Sequence, residues 1–107
     1  MDLVQILNQK LNELSQSIRV LRENGEALAQ AEHDYKVALS QEVMILKDEK
    51  QPATLINLTV YGKPSVAKIR FKRDLAQVMY DANQEHINVT KLQIRVLENQ
   101  IEREWRS

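Results

Sequence analysis

The two histidines are the side chains of this sequence best suited to bind a metal or to transfer a proton. Each follows a glutamate, in Glu32-His33 and in Glu85-His86. Helical zinc and di-iron sites use H-E-x-x-H or E-x-x-H spacing, but here the positions three residues before each histidine carry amides. We therefore interpret both histidines as solvated or interface residues and expect no metal and no cofactor.

Other catalytic arrangements are also missing from the sequence. Helical nucleotide pyrophosphatases need acidic residues from two helices facing one pocket, and the acidic residues near the middle of the chain do not fall on the apolar seams described below. The sequence has no cysteine, no glycine-rich phosphate loop and no serine with a positioned base. We expect no catalytic residue and predict that the protein is not an enzyme.

One local cluster of basic side chains could form a binding site. Most of these side chains fall in the first turns of a predicted helix, where the helix dipole disfavours positive charge. We interpret them as ion-paired with Glu42, Asp48 and Glu49. The alternative is a site for an anion or a nucleic-acid phosphate at the tip of a helical hairpin. The cations are Lys63, Lys68, Arg70, Lys72 and Arg73.

Composition favours a small, soluble helical protein. The 107 residues fit one domain, 1–107, with a formal net charge of zero, so no global field attracts nucleic acid or an anionic membrane. Glycine and proline number two each, which predicts few and long elements. No apolar run is long enough for a signal core or a membrane span. We therefore expect a cytoplasmic protein without a membrane partner.

The elements that position these residues are predicted to be two long helices. A four-three heptad spacing starts at Leu7 and continues to Leu46, which predicts a helix over about residues 2–50 that Pro52 ends. Asn24-Gly25 is a turn signal inside it, but the heptad phase is the same on both sides, so we predict a continuous helix. The predicted seam is Leu7, Leu11, Leu14, Ile18, Leu21, Gly25, Leu28, Glu32, Tyr35, Leu39, Glu42 and Leu46.

A connector over about residues 51–64 leads to the second long helix, predicted over about residues 65–106. The stretch from Thr54 to Tyr61 fits a short helix better than a strand, because the chain offers no second strand. Ser65 is the predicted N-cap of the second helix. That helix has its own heptad seam, formed by Val66, Ile69, Arg73, Ala76, Tyr80, Asn83, Ile87, Thr90, Ile94, Leu97, Ile101 and Glu104.

The fold class predicted is therefore all-α, an antiparallel coiled-coil hairpin. If residue 50 faces residue 65, paired residue numbers sum to about 115, which places Glu42 opposite Arg73 as a register pair. Trp105 is then predicted to pack against the first helix around Leu7 to Leu11, or to serve as a partner-binding residue.

A second apolar stripe on the second helix is left uncovered by such a hairpin. It indicates further helices, most simply from a second copy of the chain in a helical bundle. We predict a homo-oligomer whose interface includes Leu75, Met79, Ala82, His86, Val89 and Val96.

Four stretches of the sequence resemble a family of small phage and prophage proteins of Gram-positive bacteria. They are 23–26, Glu-Asn-Gly-Glu, together with 29–35; the 52–56 link; 70–74 together with Tyr80; and the closing segment 95–105. The resemblance implies a phage early-region accessory protein, often carried near replication and recombination functions, in the cytoplasm of the host cell. It implies no catalytic residue.

Three functional hypotheses remain open from the sequence. The leading one is a non-enzymatic, homo-oligomeric helical interaction protein that binds a host or phage protein. The second is a nucleic-acid-binding accessory of phage replication or recombination, which uses the cations near the connector. The third is an inhibitor of host defence that acts by sequestration. Nucleic acid is a less favoured partner than protein.

Overall fold

The structure, a computed structural model, describes residues 2–106. It contains α1 (Leu3–Asp48), α2 (Ala53–Thr59), a 3₁₀ turn (Val60–Gly62) and α3 (Pro64–Arg106). The described residues include no strand, and α1 and α3 pack against each other as a helical hairpin. The predicted all-α hairpin is confirmed. So are the continuity of α1 through Gly25 and the short helix in the connector.

The end of α1 is set by a backbone turn at Lys50. This residue has a positive φ of 61°, the left-handed conformation that glycine usually supplies after a helix. The amide of Gln51 donates to the carbonyl of Leu46 at 3.1 Å, and that of Lys50 donates to Lys47 at 2.9 Å. These two bonds satisfy carbonyls that the helix end would otherwise leave unpaired.

Two prolines separate the elements of the connector. Pro52 precedes α2 in an extended conformation, and Pro64 is the first residue of α3, where its missing amide hydrogen costs nothing. The carbonyl of Lys63 accepts hydrogen bonds from the amides of Val66 and Ala67. Lys63 therefore precedes the helix, and the prediction of Ser65 as N-cap is wrong because Pro64 begins the helix one residue earlier.

The chain forms two compact units, and residues 25–79 make up the first, here called the connector unit. Its core joins the end of α1, the connector and the start of α3 through four buried side chains: Leu46, Ile56, Val60 and Val66. Tyr35, Leu39 and Val43 of α1 pack against this cluster. The connector is thus part of the core of this unit, which is why its apolar residues fold as helix.

The second unit, here called the terminal unit, contains the described residues up to Asn24 and those from Tyr80 onwards. Its buried residues all come from α3: Ile87, Thr90, Ile94 and Leu97. Thr90 is fully buried, and its hydroxyl donates to the carbonyl of His86 at 2.8 Å. A buried hydroxyl bonded within its own helix leaves no polar group unsatisfied.

The α3 seam is the part of the fold that the sequence pattern predicts best. From Pro64 to Ile101, the residues that are not exposed are those of the predicted seam and no others. They are Val66, Ile69, Arg73, Ala76, Tyr80, Asn83, Ile87, Thr90, Ile94, Leu97 and Ile101. Glu104, the last predicted seam residue, is exposed.

The predicted register is wrong, and Glu42 and Arg73 are not a pair. The hydroxyl of Ser65 donates to Glu42 at 2.7 Å, while Arg73 lies over the ring of Tyr35, seven residues before Glu42 in α1. Residue numbers facing each other in the connector unit therefore sum to 107 or 108 instead of 115. The reason is that α2 packs against the last turns of α1, so α3 pairs with α1 one heptad earlier.

Three large apolar residues predicted to pack within the hairpin are exposed instead. Leu11 and Ile18 of the predicted α1 seam are 43% and 51% exposed, and Trp105 is 85% exposed. Polar neighbours, including Ser17 and Asn24, are partly buried on α1 in the terminal unit. Within residues 2–106, no helix combines the length and the hydropathy needed to cross a membrane.

Candidate functional site

Arg73, the most enclosed arginine of the predicted cationic patch, is held by an acid and an aromatic ring. Its Nε and Nη2 atoms donate to Oδ1 of Asp74 at 3.1 and 2.7 Å, and its Cζ lies 4.4 Å from the centre of the Tyr35 ring. The hydrogen bond to Asp74 is the main reason that the pKa of Arg73 is raised above its ordinary value. The guanidinium of Arg73 is therefore in contact with both a carboxylate and an aromatic ring.

Arg70 contacts a second tyrosine in the same unit. Its Cζ lies 5.8 Å from the centre of the Tyr61 ring, within reach of a cation–π interaction. Tyr35 and Tyr61 both line an open groove of about 570 Å³, together with Glu32, Lys36, Arg73 and Asp74. The carboxylates offset the cations, so the groove has no net attraction for a phosphate.

The lysines of the patch face a different side of α3. Lys72 lines a separate groove of about 290 Å³ with Ala31, Asp34 and Ile69, and Lys68 lies one helical turn before Lys72. The structure thus divides the predicted patch between two faces, with Arg70 and Arg73 on one and Lys68 and Lys72 on the other.

The ion pairs expected for this patch do not form. Among residues 2–106, none of Lys63, Lys68 and Lys72 bonds to an acid of the α1 end, and Glu42 accepts from Ser65 instead. The predicted pairing with Glu42, Asp48 and Glu49 is therefore wrong. Instead, Asp74 forms an ion pair with the neighbouring Arg73 of the patch.

All six residues predicted for the oligomer interface are exposed on α3. Leu75 is 50% exposed, Met79 54%, Val89 43% and Val96 48%. Ala82 and His86 are exposed as well. The α1–α3 seam therefore leaves this stripe uncovered.

Sequence reasoning missed three more exposed apolar residues of α3. Phe71 is 67% exposed, Val78 62% and Leu92 58%. With predicted stripe residues they complete a four-three heptad, here called the outer face. Its members are Phe71, Leu75, Val78, Ala82, Glu85, Val89, Leu92 and Val96. The four-three spacing of these residues can be read in the sequence, but only their exposed fractions in the structure show that they do not pack against α1.

The histidines do not belong to a metal centre in the described part of the chain. Nε2 of His86 lies 3.3 Å from Oε1 of Glu13, whose other carboxylate oxygen contacts Lys10 at 3.2 Å. His33 is exposed on α1. Nowhere in residues 2–106 do three metal-binding side chains of the His, Cys, Asp or Glu type come together. The Glu13–His86 contact instead links α1 to α3 within the terminal unit.

Comparisons with known proteins add no relative to this description. The chain matches no protein-family model, no curated protein and no solved structure. The resemblance to phage and prophage proteins is not tested by these results and stays a prediction.

Proposed function

We propose that the protein is a non-enzymatic helical interaction protein that functions as a homo-oligomer. The observation that supports this proposal is the outer face of α3, where six large apolar side chains are between 43% and 67% exposed. Exposed apolar side chains that recur along one helix are typical of an interaction site. Its heptad spacing is the pattern that another helix covers.

A second copy of the chain is the simplest occupant of that face. A small helical hairpin buries few residues, and here only seven apolar side chains of the described part are classed as buried. Helical bundles commonly complete such a core by association of hairpins. Self-association would therefore supply apolar burial that one chain lacks.

Binding to a host or phage protein is the remaining part of the proposal. The tyrosine-lined groove of the connector unit, with Arg73 fixed over Tyr35, offers a second surface for such a partner. Tyrosine and arginine are enriched where proteins bind other proteins. The phage setting and the host cytoplasm are carried by the sequence resemblance alone.

Nucleic-acid binding is the alternative, and one observation favours it. Lys63, Lys68 and Lys72 have no carboxylate partner among the described residues, which leaves three cations available for phosphates. The division of the patch between two faces and the carboxylates beside Arg73 argue against a continuous phosphate track. We therefore rank this alternative second, and inhibition of host defence by sequestration third.

Charged substitutions on α3 test the leading proposal. Light scattering should give at least a dimer for the natural chain, and Leu75→Glu with Val89→Glu, both on the outer face, should reduce it to a monomer. The matched control, Gln77→Glu with Asn88→Glu, places the same charges on exposed positions outside the outer face and should leave the assembly intact. A monomeric natural chain at high concentration would contradict the proposal.

A further inference from the structure

Asn24 is the one asparagine of this sequence that precedes a glycine. Every other asparagine is followed by Gln, Glu, Leu or Val, whose side chains shield the next backbone nitrogen. Glycine has no side chain, so the backbone nitrogen of Gly25 is open to close approach by the side chain before it. The pair Asn24-Gly25 is therefore the place in the chain where an asparagine is most prone to spontaneous deamidation.

Deamidation of this pair needs only water as a second reactant. The backbone nitrogen of Gly25 loses its proton and bonds to the side-chain carbonyl carbon of Asn24, and the side-chain nitrogen leaves as ammonia. Water then opens the five-membered succinimide ring at one of its two carbonyls. One product has aspartate in place of asparagine, and the other has isoaspartate, in which the main chain runs through the side-chain methylene. Either product adds one negative charge to the chain.

The folded chain opposes the first step of this reaction. Asn24 and Gly25 lie inside the continuous helix α1, and the ring needs a backbone conformation outside the helical region. An amide inside a helix is also hydrogen-bonded to the carbonyl four residues earlier, a bond that the attacking nitrogen has to leave. The side-chain amide of Asn24, which is the leaving group, donates to Oδ1 of Asn83 on α3 at 2.8 Å. Local opening around Asn24 must therefore precede the reaction.

The product cannot restore the hydrogen bond between positions 24 and 83. Asn83 uses both ends of its side-chain amide, because Nδ2 donates to the backbone carbonyl of Ser17 at 3.1 Å while Oδ1 accepts from Asn24. The Ser17 carbonyl can only accept, so it fixes the orientation of the Asn83 amide. A carboxylate at position 24 then faces the Asn83 oxygen with no proton to donate. Turning the amide over would place its oxygen against the Ser17 carbonyl instead.

We propose that Asn24 is a site of spontaneous deamidation that the pairing of α1 with α3 suppresses, and whose product weakens that pairing. The loss of ammonia makes the reaction irreversible, so each opening that leads to reaction removes one molecule from the fully paired population. The lifetime of the paired terminal unit is thus set by how often it opens. The hydrogen bonds that carry this inference lie within the terminal unit, and it is independent of the proposed self-association.

Peptide mapping by mass spectrometry tests the suppression. The natural chain is held at mildly alkaline pH, either folded or in concentrated guanidinium chloride. We expect Asn24 to deamidate in both samples, and about ten-fold or more slowly in the folded chain, where reaction requires local opening. Asn83→Ala removes the acceptor on α3 and should raise the rate in the folded chain, while the control Asn88→Ala, at an exposed position, should leave it unchanged.

Three results would overturn the suppression. One is an equal rate at Asn24 in the folded and the unfolded natural chain, and another is no reaction at Asn24 in the unfolded chain. The third is a folded Asn83→Ala variant that reacts no faster than the natural chain. Gly25→Ala, whose methyl group shields the backbone nitrogen, should slow the reaction in the unfolded chain and so identify the attacking atom.

Asn24→Asp tests the consequence, because it reproduces one product in a homogeneous sample. We expect this substitution to lower the midpoint of thermal unfolding in the natural chain. In a chain that also carries Asn83→Ala, the same substitution should lower the midpoint much less, since no amide oxygen then faces the carboxylate. An equal loss in both chains, or no loss in the natural one, would overturn the proposal that the product opposes the α1–α3 pairing through Asn83.

Discussion

The side-chain amide of Asn24 donates to the side-chain oxygen of Asn83 at 2.8 Å, joining α1 and α3 in the terminal unit. Asn83 in turn donates to the backbone carbonyl of Ser17 at 3.1 Å. Both asparagines are partly buried. Polar pairs of this kind in helical seams commonly fix the register at a cost in stability.

Substitution at this pair should separate register from stability. Asn83→Ala should lower the free energy of unfolding by about 1–2 kcal/mol, because Asn24 loses its partner. Replacing both asparagines by leucine should be neutral or stabilising, since no polar group is then left unpaired. Chemical denaturation measures both changes. Asn88→Ala, at an exposed position of α3, is the control and should stay within about 0.5 kcal/mol.

Lys50 offers a test of the α1 end. Lys50→Gly should raise the free energy of unfolding by about 1 kcal/mol, because glycine adopts the positive φ of this position without the steric cost of a side chain. Lys47→Gly, three residues earlier and inside the helix, should lower it by about 1 kcal/mol. Urea unfolding of the two variants should give opposite signs. A shared sign would contradict the left-handed turn at Lys50.

Thr90 tests the account of the buried hydroxyl. Thr90→Val keeps the shape of the side chain and removes its hydrogen bond to the backbone carbonyl of His86, a residue of the same helix. We expect its stability to stay within about 1 kcal/mol of the natural chain. Thr90→Ser keeps the hydroxyl but removes a buried methyl, and should cost about 1 kcal/mol. A larger loss for valine than for serine would show that the hydroxyl matters more than the packing.

The cationic patch provides the test between the two functional classes. We expect no binding of single-stranded DNA even at low salt, because Arg73 lines a groove with two carboxylates while Lys72 lines a separate groove. Fluorescence anisotropy with labelled DNA measures this. Binding that falls with salt at a log–log slope of about −0.7 per phosphate, and that Lys68→Glu with Lys72→Glu abolishes, would favour the nucleic-acid alternative.

The seams show how far the sequence pattern reaches. Apolar spacing predicted the buried face of α3 from Val66 to Ile101, including the polar members Arg73 and Asn83, because burial in a helix pair depends on the position in the heptad. The spacing could not predict which heptads face each other. A shift by seven residues leaves every seam residue on its seam, so Glu42 was matched with Arg73 while Tyr35 faces it in the structure.

The errors on α1 and at the patch have physical causes outside the periodicity. Asn83 of α3 forms hydrogen bonds with Ser17 and Asn24 of α1. Leu11 and Ile18 are exposed, although these two leucine and isoleucine side chains fit the apolar pattern of α1 better than Ser17 and Asn24 do. The connector packs into the core against Leu46. The register of α3 along α1 therefore differs from the register in which the cationic patch would face Glu42. Hydrogen bonding and connector packing of this kind are tertiary effects that residue spacing does not encode.

Sedimentation equilibrium of the natural chain, over a range of protein concentrations, tests most directly whether the protein self-associates. We expect a mass of at least twice the 12.5 kDa of one chain at high concentration. We also expect Leu92→Glu to return the mass to that of one chain while circular dichroism still shows a helical protein. A natural chain that sediments at 12.5 kDa at every concentration would contradict the central claim.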